Sequence, residues 1–216
     1  NFSIDKKGEF PGQVSIGEMK DEVCTNLSKA TGISYDKVNK VIHMWAISSN
    51  DNSIESMTAQ KLAGEVFGAN FTEWQQERMD YIKTYGASAD RDWPSDGEVK
   101  TILREMYKLT QADFKAAGIK EVVLYRGFGI KDRDDANQIG RQSNKATKVQ
   151  INALSSWSSS IQTGRDFMGY ENFRYLIAIR VPVERILATP RTGYGCYNEY
   201  EYVLLGDPGG ENVFVE

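Results

Sequence analysis

One histidine, two cysteines and five prolines are all that 216 residues hold of those types. The lone His43 lies in VNKVIHMWAI, among residues with helical apolar spacing, and reads as an ordinary packed or partly exposed helix residue. A Ser-His-Asp or Cys-His mechanism therefore has little to stand on. Cys24 and Cys196 are too few for a disulfide scaffold. They read as two free thiols, with a single bridge as the alternative. No Cys/His spacing suggests zinc, and no metal is expected. No run of about 18 apolar residues exists, so no segment is expected to span a bilayer. There is no signal-peptide pattern either. The sequence starts at Asn1 without Met and reads as a domain cut from a longer protein or a processed product, which leaves secretion open. Nor is positive charge in excess. The 26 Lys and Arg against 30 Asp and Glu give a net charge of −4, which speaks against a nucleic-acid partner or an acidic membrane surface.

With 40% hydrophobic and 26% charged residues, the chain can bury a sizeable core. Its first part, 1–120, reads as helices. Ser15 with Glu18 makes an S-x-x-E capping box, and Ile16, Met19, Val23 and Leu27 then share one face until Gly32. Ser34 opens a second helix with the stripe Val38, Val41, Ile42 and Trp45. A third runs from Ile54 to Phe67 and a fourth from about Thr72 to Tyr85. Ser95 or Asp96 caps a long helix carrying Val99, Ile102, Leu103 and Met106, and a short helical piece, QADFKAAG, ends at Gly118. From 121 to 216 the period shortens. EVVLYRGF, INALSSWS, RYLIAIRVP, NEYEYVLLG and ENVFVE read as strands. The polar stretch 130–150 reads as one long surface loop. Helices first and strands second predict an α+β chain in which the two parts form one domain.

Three of the strands carry a polar residue in an apolar setting. Arg126 in VVLYRGF is either a surface charge or an anion ligand, since a guanidinium grips phosphate bidentately and Gly127 lets a ligand approach the backbone. Gly127-Phe128-Gly129 lacks the third glycine and following helix of a dinucleotide-binding loop. Ser156 and Ser158 in NALSSWSSS read as a serine-rich strand end, or as hydroxyls that fix a neighbouring catalytic group. In YNEYEYVLLG, strand alternation predicts Glu199 and Glu201 on one face, with Tyr200 and Tyr202 on the other. Two like charges there are either solvated on an edge strand or used by chemistry.

The order Arg, then Ser-x-Ser, then Glu-x-Glu, each on a strand, resembles the R-S-E class of mono-ADP-ribosyltransferases. It is most similar to phage-encoded enzymes and toxin domains related to phage head proteins. The motifs cover roughly residues 121–206. The resemblance implies an N-terminal helical layer packed on a two-sheet β core, with NAD as substrate and a protein arginine as acceptor. It implies that Arg126 binds the NAD phosphate and that Gly127 offers its backbone to the nicotinamide amide. Ser156 then orients Glu201, with Ser158 bracing the strand. Glu201 binds the nicotinamide ribose and stabilises its developing cation, while Glu199 holds and activates the acceptor. Glu at that position implies arginine; Gln there implies asparagine or related acceptors. The loop 190–198 corresponds to a substrate-recognition loop, with Tyr194 and Tyr197 as contacts, and Phe167 corresponds to the family's aromatic near the next helix. Trp157 replaces the usual middle threonine, and Gly164 stands where alanine is common. An effector secreted or injected into a target cell is the implied setting. An NAD glycohydrolase and a non-enzymatic, phage head-associated module are the alternatives.

Overall fold

The computed structural model describes residues 16–48, 53–86, 90–131, 133, 146–170 and 172–215, without the side chains of 16–19, 47, 48 and 197. The Ser15 half of the expected capping box and the Tyr197 side chain lie outside that description.

Among the described residues, five helices come first: α1 (Ile16–Thr31), α2 (Tyr35–Ser48), α3 (Ile54–Phe67), α4 (Glu73–Tyr85) and α5 (Asp96–Ala117). Their ends follow capping chemistry. Ser53 accepts from Ser56 N–H at the start of α3. Thr72 with Gln75, and Ser95 with Glu98, form reciprocal capping boxes on α4 and α5. Gly118 closes α5 in the left-handed conformation. The expected break near 110 is absent. Val99, Ile102, Leu103, Met106, Thr110 and Phe114 keep one buried stripe through a single 22-residue helix. Thr110 is tolerated inside because its hydroxyl donates to Met106 O and also meets Leu187 O and Thr192 Oγ1.

The strands are β1 (Glu121–Ile130), β2 (Ala146–Val149), β3 (Leu154–Ser158), β4 (Phe173–Pro182), β5 (Ile186–Ala188), β6 (Glu201–Leu205) and β7 (Glu211–Val215). The short helix α6 (Ile161–Asp166) follows β3. The α+β class holds. The expected two-sheet core does not: among the described residues, the seven strands join in one order, β2-β7-β4-β1-β3-β6-β5, with antiparallel neighbours throughout. The β1–β3 link is a single pair, Tyr125↔Ser158, so the two halves of the sheet are hinged on one point and part beyond it. Two strands were not foreseen. β2 lies within the stretch expected to be loop, paired with β7, and β5 is three residues long with an irregular register against β6.

The main core cluster joins Leu27, Val41, Ile42, Leu62, Ile102 and Leu103 from the helices to Leu154, Leu187, Val203 and Leu205 from the sheet. A second cluster lies around Leu124, Trp157, Ile179, Tyr202 and Phe114. Among the described residues, no helix is long and apolar enough to cross a membrane.

Candidate functional site

The parting of β1 from β3 opens a cleft. Its walls are Tyr125, Arg126 and Gly127 from β1, Ser156, Trp157 and Ser158 from β3, and Phe167 after α6. Trp45 and Ala46 of α2, Cys196, Glu199 and Glu201 complete a cavity of about 320 Å³. That is within the size range of small-molecule sites, about 300–1,000 Å³. Arg126, Gly127, Ser156, Ser158, Phe167, Glu199 and Glu201 were all expected on chemical grounds or by resemblance, and they line this one hollow.

Glu201 is the best-held group in it. It is the first residue of β6, opposite Ser158, and only 5% exposed. Ser156 sits diagonally across the β3–β6 pair, and its hydroxyl donates to Glu201 Oε1. Trp45 Nε1 donates to the same oxygen at 2.9 Å. The Cys196 backbone N–H donates to Oε2 at 2.6 Å. A buried carboxylate is stable only with such partners. Glu201 draws them from a helix, a strand and a loop.

Glu199 reaches the cleft by a different route from the one expected. It is not a strand residue: 197–199 form a 3₁₀ turn, and β6 begins only at Glu201. Tyr200 between them has φ 48, the one non-glycine positive φ among the described residues. Both Glu199 N–H and Glu201 N–H turn back to Cys196 O. Strand alternation therefore does not relate the two residues, although both line one cavity. Burial, and after it the Glu201 charge, hold the Glu199 carboxyl above the usual glutamate range.

Ser158 links β3 to two neighbouring segments. Its hydroxyl donates to Glu199 O at 2.7 Å and accepts from Ser160 N–H at 3.0 Å, tying the turn that carries Glu199 to the start of α6. Arg126 is exposed, and its guanidinium donates to Ser155 Oγ and Ser156 O. Ser155 was not singled out in the sequence, because only the alternate serines of the motif looked functional. Gly127 has a packing reason for being glycine. A Cβ there would come within 2.0 Å of Gly164 O, and one on Gly164 within 2.9 Å of Tyr125 Cβ. The two glycines let α6 rest directly on β1, which sets Phe167, half exposed, at the cavity wall.

Tyr194 needs correction. Expected as a contact for a protein substrate, it is fully buried. Its ring stacks on Trp45, centroids 4.9 Å apart and 15° between planes. The reason is the loop's course. Thr192 bonds to Thr189 and Thr110, and Gly193 lies so close to α5 that a Cβ would meet Met106 Sδ at 2.0 Å. Residues 192–195 therefore form part of the interior.

On the other face of the same strands lies a second hollow of about 540 Å³, with Phe128, Lys148, Asn152 and Ser155 in its lining. Arg126 and Trp157 border both hollows. Cys24 and Cys196 are both free thiols. Cys196 Sγ and carboxylate oxygens of Glu199 and Glu201 lie within 4.8 Å of one another, a spacing a cation could use. Burial, then the two carboxylates, push the thiol up to about 11. It is protonated near neutral pH, and Glu201 already has hydrogen-bond donors on both oxygens.

Comparison of the chain with protein-family models, with curated proteins and with solved structures finds no match.

Proposed function

We propose that this chain is a mono-ADP-ribosyltransferase that cleaves the nicotinamide–ribose bond of NAD and joins the ribose to an arginine guanidinium. The observation that carries the reading is Glu201, a buried carboxylate in a cleft, held on both oxygens and flanked by Glu199, Ser156 and Arg126. In the reaction the C1′–nitrogen bond breaks and nicotinamide leaves with the bonding pair. The sugar carbon becomes cationic, and a fixed anion stabilises that state more than the ground state. Glu201 supplies the anion. Its partners hold it in place beforehand, so no reorganisation is needed as charge develops.

Arg126, exposed between the two hollows, is the group to hold a pyrophosphate. The paired Ser155 and Ser156 contacts fix its guanidinium. Glu199 binds the incoming guanidinium and takes the proton that the arginine nitrogen loses as it bonds to C1′. A guanidinium is charged at neutral pH and is a poor nucleophile without that help.

The test is a pair of assays on Glu199→Ala: nicotinamide release without acceptor, and label transfer from NAD to agmatine. Transfer is expected to vanish while much of the hydrolysis survives. Surviving transfer with lost hydrolysis would reverse the two roles. Wild-type hydrolysis without transfer to any acceptor would leave an NAD glycohydrolase. A wild-type chain that does not cleave NAD would remove the enzymatic reading.

A further inference from the structure

We infer that Trp45, on α2, is a positioning residue that fixes the Glu201 carboxylate in place; for catalysis this rests on the function proposed above. The contact is direct, indole Nε1 to Glu201 Oε1 at 2.9 Å, between residues 156 positions apart in sequence. Both side chains are buried, 2% and 5% exposed, so the bond is largely shielded from solvent. An indole N–H only donates, and in a low-dielectric surrounding its bond to an oxygen is stronger than in water.

The orientation of the indole is itself constrained. One face stacks on Tyr194, which has no exposed surface of its own. The loop carrying Tyr194 also carries Cys196, whose N–H holds the other oxygen, Oε2. Trp45 thus touches one end of the carboxylate directly, and through Tyr194 it rests against the segment that grips the other end. Ser156 shares Oε1 with it. A hydroxyl rotates and can reverse its bond, whereas the indole cannot. Of the two donors on Oε1, the indole is therefore the one that cannot let it go by rotating.

Two measurements test this. First, Trp45→Phe keeps an aromatic ring for the stack and deletes the donor. In NAD cleavage, kcat should fall roughly tenfold to a hundredfold, the scale of one hydrogen bond to a charged group expressed as a rate, with KM for NAD little changed. His43→Gln, an exposed position on the same helix, should stay within a few-fold of wild type. A folded Trp45→Phe protein with wild-type kcat overturns the inference; so does a loss confined to KM.

Second, the four indole N–H groups are observed by nitrogen-15 NMR in the wild-type chain. The Trp45 resonance, assigned through its cross-peaks to the Tyr194 ring stacked on it, should exchange slowly with solvent. It should move in Glu201→Gln, because a neutral amide is a weaker acceptor than a carboxylate. A Trp45 resonance indifferent to Glu201→Gln overturns the inference, and this arm needs neither NAD nor a folded Trp45 variant. If the wild-type chain cleaves no NAD, the enzymatic reading fails, while the NMR result still decides whether Trp45 fixes Glu201.

Discussion

Replacing Glu201 by Gln removes one charge with almost no change of shape, and the structure says what that costs. The carboxylate accepts from Ser156 Oγ and Trp45 Nε1 on one oxygen and from Cys196 N–H on the other. A carboxamide has one accepting oxygen and one donating NH₂. With its oxygen in the Oε1 place, the NH₂ faces the Cys196 N–H. With its oxygen in the Oε2 place, the NH₂ faces the Trp45 indole. Ser156 can rotate its hydroxyl to suit either state, but neither the backbone N–H nor the indole can. One buried donor is therefore left unsatisfied in both orientations, which costs about 1–3 kcal/mol. For a domain of this size that lowers Tm by roughly 2–12 °C. Loss of the anion itself should reduce NAD cleavage about a hundredfold or more. Calorimetry and nicotinamide release on the same preparation check both numbers. A Gln variant with wild-type Tm would refute the hydrogen-bond geometry, and a folded one with near wild-type rates would refute the role of Glu201.

Arg126→Lys keeps the charge but loses the guanidinium fork, so NAD affinity by titration calorimetry should fall about tenfold; unchanged affinity refutes the phosphate role. Glu199→Gln should stabilise the protein at neutral pH. The folded state holds the Glu199 proton to higher pH than the unfolded chain does, so stability falls as pH rises from near the ordinary 4.5 through the raised value, and stays lower above it. The advantage of the Gln variant should therefore disappear in acid, and a Tm difference that grows as pH falls refutes the assignment. Gly127→Ala would drive a methyl to within 2.0 Å of Gly164 O, so unfolding in urea should begin earlier by roughly 1–3 kcal/mol; an unchanged midpoint refutes the seat of α6 on β1.

Much of the cleft was legible because its chemistry is local. Ser156 and Glu201 lie on buried strands, which leaves their polar groups few places to point, and Arg126 stands out as the charge in an otherwise apolar run of β1. The helix ends were legible for a similar reason, since Ser95 and Gly118 lie within a turn of what they cap. What escaped was decided by contacts distant in sequence. Tyr194 sits among glycines and looks like surface loop, but Thr110 and Met106 of α5 draw that loop inward. Glu-x-Glu reads as strand by its neighbours, yet the bonds back to Cys196 O and the left-handed Tyr200 delay the strand by three residues. β5 is too short to leave a period, and its partner β6 defines it.

Trp45 is the most instructive miss. Its spacing from Val38, Val41 and Ile42 is that of any core stripe, and the expectation of burial was right. A tryptophan differs from its apolar neighbours only by one N–H, which no periodicity can see. Buried, that N–H must find an acceptor or cost stability, and Glu201, itself costly to bury, needs donors. Each group removes the other's penalty. The boundary near residue 120 is thus real as a change of secondary structure and false as a division of the site. The carboxylate on which the proposed chemistry turns is held by β3 and the 190–196 loop on one side of that boundary and by α2 on the other. A chain cut at 120 would lose the indole, the wall of the cleft beside it and the ring on which Tyr194 rests, so the β-rich part carries all of the motif and only part of the site.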